Sequence, residues 1–549
     1  MIAEMDADSV AGYFRSKSIL ITGSTGFLGK GMCSCMSPTT FQVRMCRACV
    51  VIIWRLICWC FMHDLCLVLV EKILRVQPDV KKLFLLIRAP DVESAKLRIQ
   101  TEVTGREIFR VLKENHGAGF DNFIEEKICP SVGNIMKENF GLDNSQLKEF
   151  SKDIDIIING AATTNFFERY DVAFDTNVLG AKHVCAFAKK CPKLKMLLHV
   201  STAYVAGEKE GLISEKPFLM GETLRVGTYL DIESELNLIN KTKRELIANR
   251  STDMVVRKAM KELGLKRARH FGWANTYVFT KAMGEMLLEH LHEGCPMVII
   301  RPSIITSTLK DPFPGWMEGI RTIDIVIAGY AKQTMSFFLA DLDLIMDVIP
   351  GDMVVSAMMV AMVAHSKDQQ AHIIYHVTSS HHNPATYAIL ADSGHRYFFD
   401  NPPCIGRNGE RVRLKKMRFF RTTASLRLYM AINYKLPLEM LHLVNITLCG
   451  VFSRRCSEYN RKYRFLTLLI ELYAPYVLFK GRFDDNNLER LRMVRNKDQN
   501  NNEACWFDFD PRSINWDDYF YYVHIPGVLK YMQTELHSTS QNSNDVARL

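Results

Sequence analysis

The chain contains no low-complexity tract, no internal repeat and no run of 18 uncharged apolar residues. The nearest approaches to such a run, Ala48–Val70 and Leu436–Phe452, are broken by Arg55 and Asp64 and by Glu439. A membrane-spanning helix is therefore not expected, which leaves peripheral contact with a membrane open. No nucleic-acid-binding motif is found, and no dense Lys/Arg cluster stands out behind the formal net charge of +9. That excess reads either as a solvated basic surface or as attraction to anionic ligands and lipid headgroups. Neither a secretory leader nor room for a transit peptide precedes the first apolar run, near Ser18. The expectation is thus a reduced, cytosol-facing setting, with the fifteen cysteines unpaired. What is present is globular in character: 48% hydrophobic and 23% charged residues over 549 positions, enough for two domains.

The first constructive signal is Thr22-Gly23-Ser24-Thr25-Gly26-Phe27-Leu28-Gly29, set directly behind the apolar run Ser18-Ile19-Leu20-Ile21. A strand followed by such glycines offers backbone N–H groups and a helix N-terminus to a dinucleotide pyrophosphate. Further apolar strands are expected at 82–88, 155–159, 196–201 and 297–301, with helices between them, including 170–189 and 276–292. Strands alternating with helices specify a doubly wound, Rossmann-type parallel α/β sheet. This pattern fades near residue 390. The expected organisation is a dinucleotide-binding reductase domain over 1–390 and a mostly helical C-terminal domain over 391–549.

Tyr277-Val278-Phe279-Thr280-Lys281 carries the second signal. At i and i+4 of a helix the phenol and the ammonium share one face, and a nearby cation favours phenolate, as an acid/base tyrosine requires. Together with the upstream glycines, this pair resembles the extended short-chain dehydrogenase/reductase superfamily. The resemblance implies a catalytic hydroxyl at Thr202, with Ser201 as the alternative, and cofactor contacts at Ala161, Asn177 and Lys281. Asn134 stands where the superfamily usually has an aspartate toward the adenine. At the tip of the second strand Arg88 replaces the acid that would bind a ribose 2′-OH, which favours NADPH over NADH. No metal-ligating set is expected.

Longer stretches narrow the resemblance to the plant alcohol-forming fatty acyl-CoA reductases. They include Glu71-Lys72-Ile73-Leu74-Arg75-Val76-Gln77-Pro78, Ala161-Ala162-Thr163-Thr164-Asn165-Phe166, Pro312-Phe313-Pro314-Gly315-Trp316 and Ile349-Pro350-Gly351-Asp352. In the C-terminal part, Tyr476–Asp485 and His524-Ile525-Pro526-Gly527-Val528 resemble the family's male-sterility domain. The resemblance implies reduction of a long-chain acyl-CoA to a primary alcohol through an aldehyde. It also implies association with the cytosolic face of the endoplasmic reticulum. A sugar-nucleotide epimerase or hydroxysteroid-type dehydrogenase would share the motifs but lack this C-terminal part, and an inactive relative would keep both.

Residues 31–67 stand apart, with seven cysteines, two of the six tryptophans, and neither Lys nor Glu. Removing these 37 residues leaves 22 positions between Gly29 and Arg88, close to the roughly 20 that a dinucleotide fingerprint requires. Joining Lys30 to Val68 restores one continuous helix. The segment therefore reads as an aberrant insertion, such as a translated intron, that should loop out and weaken NADPH binding. A zinc site or a membrane-dipping hairpin are the alternatives; the Cys-x-x-Cys at Cys46–Cys49 lacks a matching second knuckle.

Overall fold

Apolar runs without polar alternation must be buried on both faces, and such strands form the centre of a seven-stranded sheet. In the computed structural model, residues 10–25, 61–333, 335–402, 414–496 and 507–532 are described. The strands are β1 (Ser18–Thr22), β2 (Lys82–Ile87), β3 (Ile128–Val132), β4 (Ile156–Asn159), β5 (Met196–Val200), β6 (Gly211–Ile213), β7 (Met297–Pro302), β8 (Ile304–Thr306), β9 (Phe337–Leu339), β10 (Val348–Pro350), β11 (His372–Val377), β12 (Arg418–Phe420) and β13 (Gly481–Phe483). The main sheet is parallel throughout, in the order β11-β7-β5-β4-β1-β2-β3. The order reverses between β1 and β4, the topological switch point where open α/β sheets bind their ligands. In β1, Ile19 and Ile21 join one buried cluster while Leu20 joins the cluster on the opposite face. The expected Rossmann-type sheet is thus present.

The helices used below are α1 (Phe61–Val76), α2 (Gly180–Ala188), α3 (Asp253–Phe271), α4 (Thr276–Leu291), α5 (Thr322–Ala331), α6 (Gly351–Ala364), α7 (Tyr387–Asp400), α8 (Thr423–Met430), α9 (Leu436–Thr447), α10 (Ser453–Val477) and α11 (Asn486–Asn496). One face of the sheet is covered by α1 and by α6, which is buried along almost its whole length. The other is covered by α2 and α4. Two polar side chains of α1 are buried and answered. Lys72 donates to Ser356 at 2.9 Å and pairs with Asp311 at 2.8 Å, and Glu71 pairs with Arg75 at 2.7 Å.

One expectation needs correction. Residues 61–67 do not loop out: they form the first turns of α1, with Leu65, Cys66 and Leu67 buried. Leu65, Cys66 and Leu67 extend the buried apolar stretch of the helix backward from Val68. By helical register Cys66 holds the place that Gly29 would hold if Lys30 joined Val68. The third fingerprint glycine lets helix and strand approach closely. Here the Cys66 thiol faces the carbonyl of Thr22 at 3.5 Å. Asp64, in the place of Phe27, accepts from the Glu318 amide at 3.0 Å and pairs with Arg321 at 2.6 Å. Residues 31–60, with Cys46 and Cys49, lie outside the described residues.

Residues after 390 thread back into the sheet domain. β12 pairs with β9, β13 with β6, and α11 packs on β11. Phe507, Trp516, Phe520 and Ile525 enter the same core cluster as α1 and α6. The two Pro-Gly motifs meet there: a Cβ on Gly527 would fall 2.3 Å from the carbonyl oxygen of Gly315. Nearby, the buried His524 bridges Ser307 and Asp324, each at 3.0 Å.

Candidate active site

Glycine is required at the end of β1. Gly23 has φ +89°, and a Cβ there would lie 2.7 Å from Gly160 of the loop after β4. The close approach brings Thr22, Gly23, Thr25, Arg88, Asn134 and Ala161 around one cleft of about 50 Å³. Six of the expected cofactor residues therefore converge at the switch point. Gly26, Phe27, Leu28 and Gly29 lie outside the described residues. The donors present fit the adenosine end of a dinucleotide: a cation at the tip of β2, a carboxamide at Asn134 and free space where glycines replace side chains.

Asn177 sits in a π-turn, Phe174–Leu179, that widens the helix leading into α2. Its side chain exchanges hydrogen bonds with both backbone groups of Thr163 at 3.0 Å and donates to Thr280 at 2.9 Å. It thereby fixes α4 one residue before Lys281. The fit is tight, because a Cβ on Gly284 would meet the Asn177 carbonyl oxygen at 2.4 Å.

Tyr277 and Lys281 both lie on the buried face of α4, which Asn275 caps by accepting from the Val278 amide at 3.2 Å. Lys281 donates to the Val200 carbonyl at 2.8 Å, and its Nζ lies 3.1 Å from His199 Nε2. His199 Nδ1 in turn lies 3.0 Å from Asn159 Nδ2, while Thr22 donates to Asn159 Oδ1 at 2.8 Å. A polar chain thus crosses the ends of β1, β4 and β5 from the glycine turn to Lys281. Burial, and secondarily the charge of Lys281, hold the imidazole of His199 well below its ordinary pKa. It is neutral at physiological pH.

The two candidate hydroxyls part company. Ser201 donates to Glu285, which is locked in a buried ion pair with Arg301. Thr202 caps the turn Ala203–Ala206 by accepting from the Tyr204 amide and reaches Pro302 O only at 3.4 Å. Both hydroxyl residues, with Tyr277, line a cavity of about 870 Å³ whose far wall is built by α5, α8, α9 and α10, but only Ser201 is tied to a buried carboxylate. Phe166 stacks between Tyr277 and Tyr476, with centroids at 6.2 and 5.0 Å, and Asn275 donates to Tyr476 at 2.6 Å. The C-terminal helix α10 therefore roofs the candidate tyrosine.

Sequence reasoning assigned no role to His199, Phe166, Tyr473 or Tyr476. A histidine inside the apolar run Met196-Leu197-Leu198-His199-Val200 was the available signal, since a buried polar group needs a partner. The aromatic roof offered none, because its contacts span about 200 to 300 residues of sequence.

Two family models match, both described as male sterility protein: an NAD-binding one over residues 65–358 and a second, named Sterile, over 433–535. The first begins at Leu65, beyond the glycine turn. An alcohol-forming fatty acyl-CoA reductase of Simmondsia chinensis is 44% identical over 95% of this chain and 99% of its own length. Fatty acyl-CoA reductase 1 of Arabidopsis thaliana is 45% identical over 95% and 98%. This chain belongs to the fatty acyl-CoA reductase family. It is a Rossmann-type oxidoreductase whose dinucleotide site takes a nicotinamide cofactor. In fold it resembles the reductase (R) domain of a nonribosomal peptide synthetase from Mycobacterium tuberculosis, at a TM-score of 0.51 and 16% identity over 96% of both chains.

Proposed function

We propose that this reductase converts a long-chain fatty acyl-CoA to the primary alcohol at the expense of two NADPH. One observation carries the reading: Thr202 and Tyr277 share the wall of a single large apolar cavity roofed by the C-terminal helices. Its volume, about 870 Å³, lies within the roughly 300–1,000 Å³ of small-molecule sites and suits a flexible alkyl chain. Bound NADPH supplies the hydride. Tyr277 gives its phenolic proton to the carbonyl oxygen, and the Thr202 hydroxyl donates to the same oxygen as charge develops on it. Addition of hydride and proton to the thioester gives a hemithioacetal, whose C–S bond breaks to release CoA thiol and an aldehyde. A second hydride and proton give the alcohol. Lys281, held by Val200 and faced by His199, sets the field at Tyr277.

Arg88 at the cleft supports NADPH over NADH, because an arginine at the tip of β2 receives a 2′-phosphate. Removing it in R88A should raise KM for NADPH by about tenfold or more and leave KM for NADH unchanged. By helical register segment 31–67 puts Cys66 in the place of Gly29, a side chain against the Thr22 carbonyl where the fingerprint needs none. Deleting it should tighten NADPH binding; equal affinities would refute the point. We place the protein on the cytosolic face of the endoplasmic reticulum, which fractionation of expressing cells checks. Expression in yeast followed by profiling of fatty alcohols tests the main reading. New long-chain alcohols support it, and unchanged lipids from a folded protein count against it.

A further inference from the structure

The surplus charge of this chain is concentrated in one place. Residues 414–464 hold eleven Lys and Arg against two Glu, a net +9 that equals the excess of the whole chain. The remaining residues are balanced. This corrects the impression, from the sequence read without its fold, that no basic cluster exists.

The same segment carries an apolar surface with no cover. Leu428 near the end of α8 and Ile432 in the turn that follows it, four apart, are 63% and 56% exposed. Leu436, Met440, Leu443 and Ile446 of α9 are 57–63% exposed, and follow the i, i+4, i+7 spacing of one helix face up to Leu443. On the inner side of α9, Leu438 and Leu441 line the large cavity. The helix is therefore apolar on nearly every side while only one side is packed, a pattern expected of helices enclosed by core or lipid. Among the described residues no helix is long and apolar enough to cross a membrane. A short apolar face flanked by cations lies instead in the plane of a lipid surface.

We infer that α8 and α9 dock this reductase on an anionic lipid bilayer, with the exposed face of α9 among the acyl chains and Lys435, Arg454, Arg455 and Arg461 at the phosphates. Charge decides the occupant. A second copy would bring the same cations, Lys435, Arg454, Arg455 and Arg461, against this face, whereas an anionic leaflet gains about 1 kcal/mol for each Lys or Arg near its surface. The cavity is continuous with the docking face, for Asn433, Tyr434, Pro437 and Tyr459 line it and are exposed. Attachment itself stands on charge and exposure alone. Release of a water-insoluble alcohol from the cavity into the bilayer rests on the reductase reading above.

The test uses the full chain in flotation with phosphatidylcholine vesicles and with mixed phosphatidylcholine–phosphatidylserine vesicles. No turnover is needed, so its failure is separable from failure of the enzymatic reading. The native chain is expected to float with the mixed vesicles. K435Q/R454Q/R461Q should weaken that binding about fivefold per charge and make it less sensitive to salt. M440S/L443S/I446S alters only exposed positions outside the cavity wall; it should lose flotation at least tenfold while keeping turnover of a water-soluble short-chain acyl-CoA. Flotation by the serine variant equal to the native chain would overturn the proposal. So would a native chain that floats with neither vesicle, or one that self-associates through this face while its lipid binding ignores both variants.

Discussion

A buried lysine needs acceptors, and Lys281 finds one in the Val200 carbonyl and a polar neighbour in His199, itself faced by Asn159, to which Thr22 donates. His199 acts as a positioning residue in this arrangement. In H199L the lysine loses its lateral partner, so Tyr277 feels less of the field that favours phenolate. We expect kcat to fall about tenfold and the alkaline limb of the pH–rate profile to move upward, with H199Q restoring most of both. A purely structural histidine would change stability and leave the profile in place. The hydroxyl pair makes a sharper contrast. T202V should lower kcat by about 10²–10³-fold, and losing its cap on the Tyr204 amide should cost about 0.5–2 kcal/mol of stability. S201A should cost about 1–2 kcal/mol of stability, by leaving Glu285 short of a donor, and spare kcat. Tyr277 and Lys281 were legible as a pair because i and i+4 share one helix face, whereas Thr202, with Ser201 as the alternative, came from the resemblance. His199 was not legible, because its partners, Asn159 of β4 and Lys281 of α4, lie 40 and 82 residues away in sequence.

At the scale of elements, α1 shows how little the local rules notice a disrupted motif. Phe61–Leu67 form the start of the helix, and Leu65, Cys66 and Leu67 are buried there because burial asks only for apolar side chains at helical spacing. The glycine requirement belongs to the ligand and the strand contact, not to the helix. Spacing in the sequence located the anomaly, yet it misjudged where the anomalous residues rejoin the fold. The element formed by β11, α11 and the loop after β6 gives a separate prediction. Glu215 accepts from the amides of His376 and Asn487, each at 2.8 Å, and burial holds its carboxyl up to about 8. The folded chain therefore keeps a proton that the unfolded chain releases near its ordinary pKa of about 4.3. Stability is fully present below that pH and is lost as pH rises through about 8; Glu71, up to about 7, adds the same sign. The unfolding midpoint should decline between about pH 5 and 8, and E215Q should flatten the decline. An unchanged slope in E215Q would contradict this account of the loop.

At the scale of the whole molecule, the sheet was legible because parallel strands announce themselves as apolar runs between helices. The fate of residues 391–549 was not. Their helices were expected, but the return of 507–532 into the first core and the laying of α10 over Tyr277 depend on contacts far apart in sequence. The clustering of charge in 414–464 was present in the composition, yet it acquired meaning only when α8 and α9 proved to be exposed on one side and cavity-lining on the other. The central claim joins these parts: one apolar chamber, walled by both halves of the chain, in which a thioester is reduced twice. Its most direct test is the stoichiometry of the reaction. The protein lacking residues 31–67 and the full chain are each given long-chain acyl-CoA and NADPH, and cofactor oxidised is compared with products formed. The account predicts two NADPH consumed per CoA released, with primary alcohol as the product, a weaker NADPH affinity for the full chain, and no turnover in Y277F. One NADPH per CoA with aldehyde accumulating, or undiminished turnover in Y277F, would contradict it.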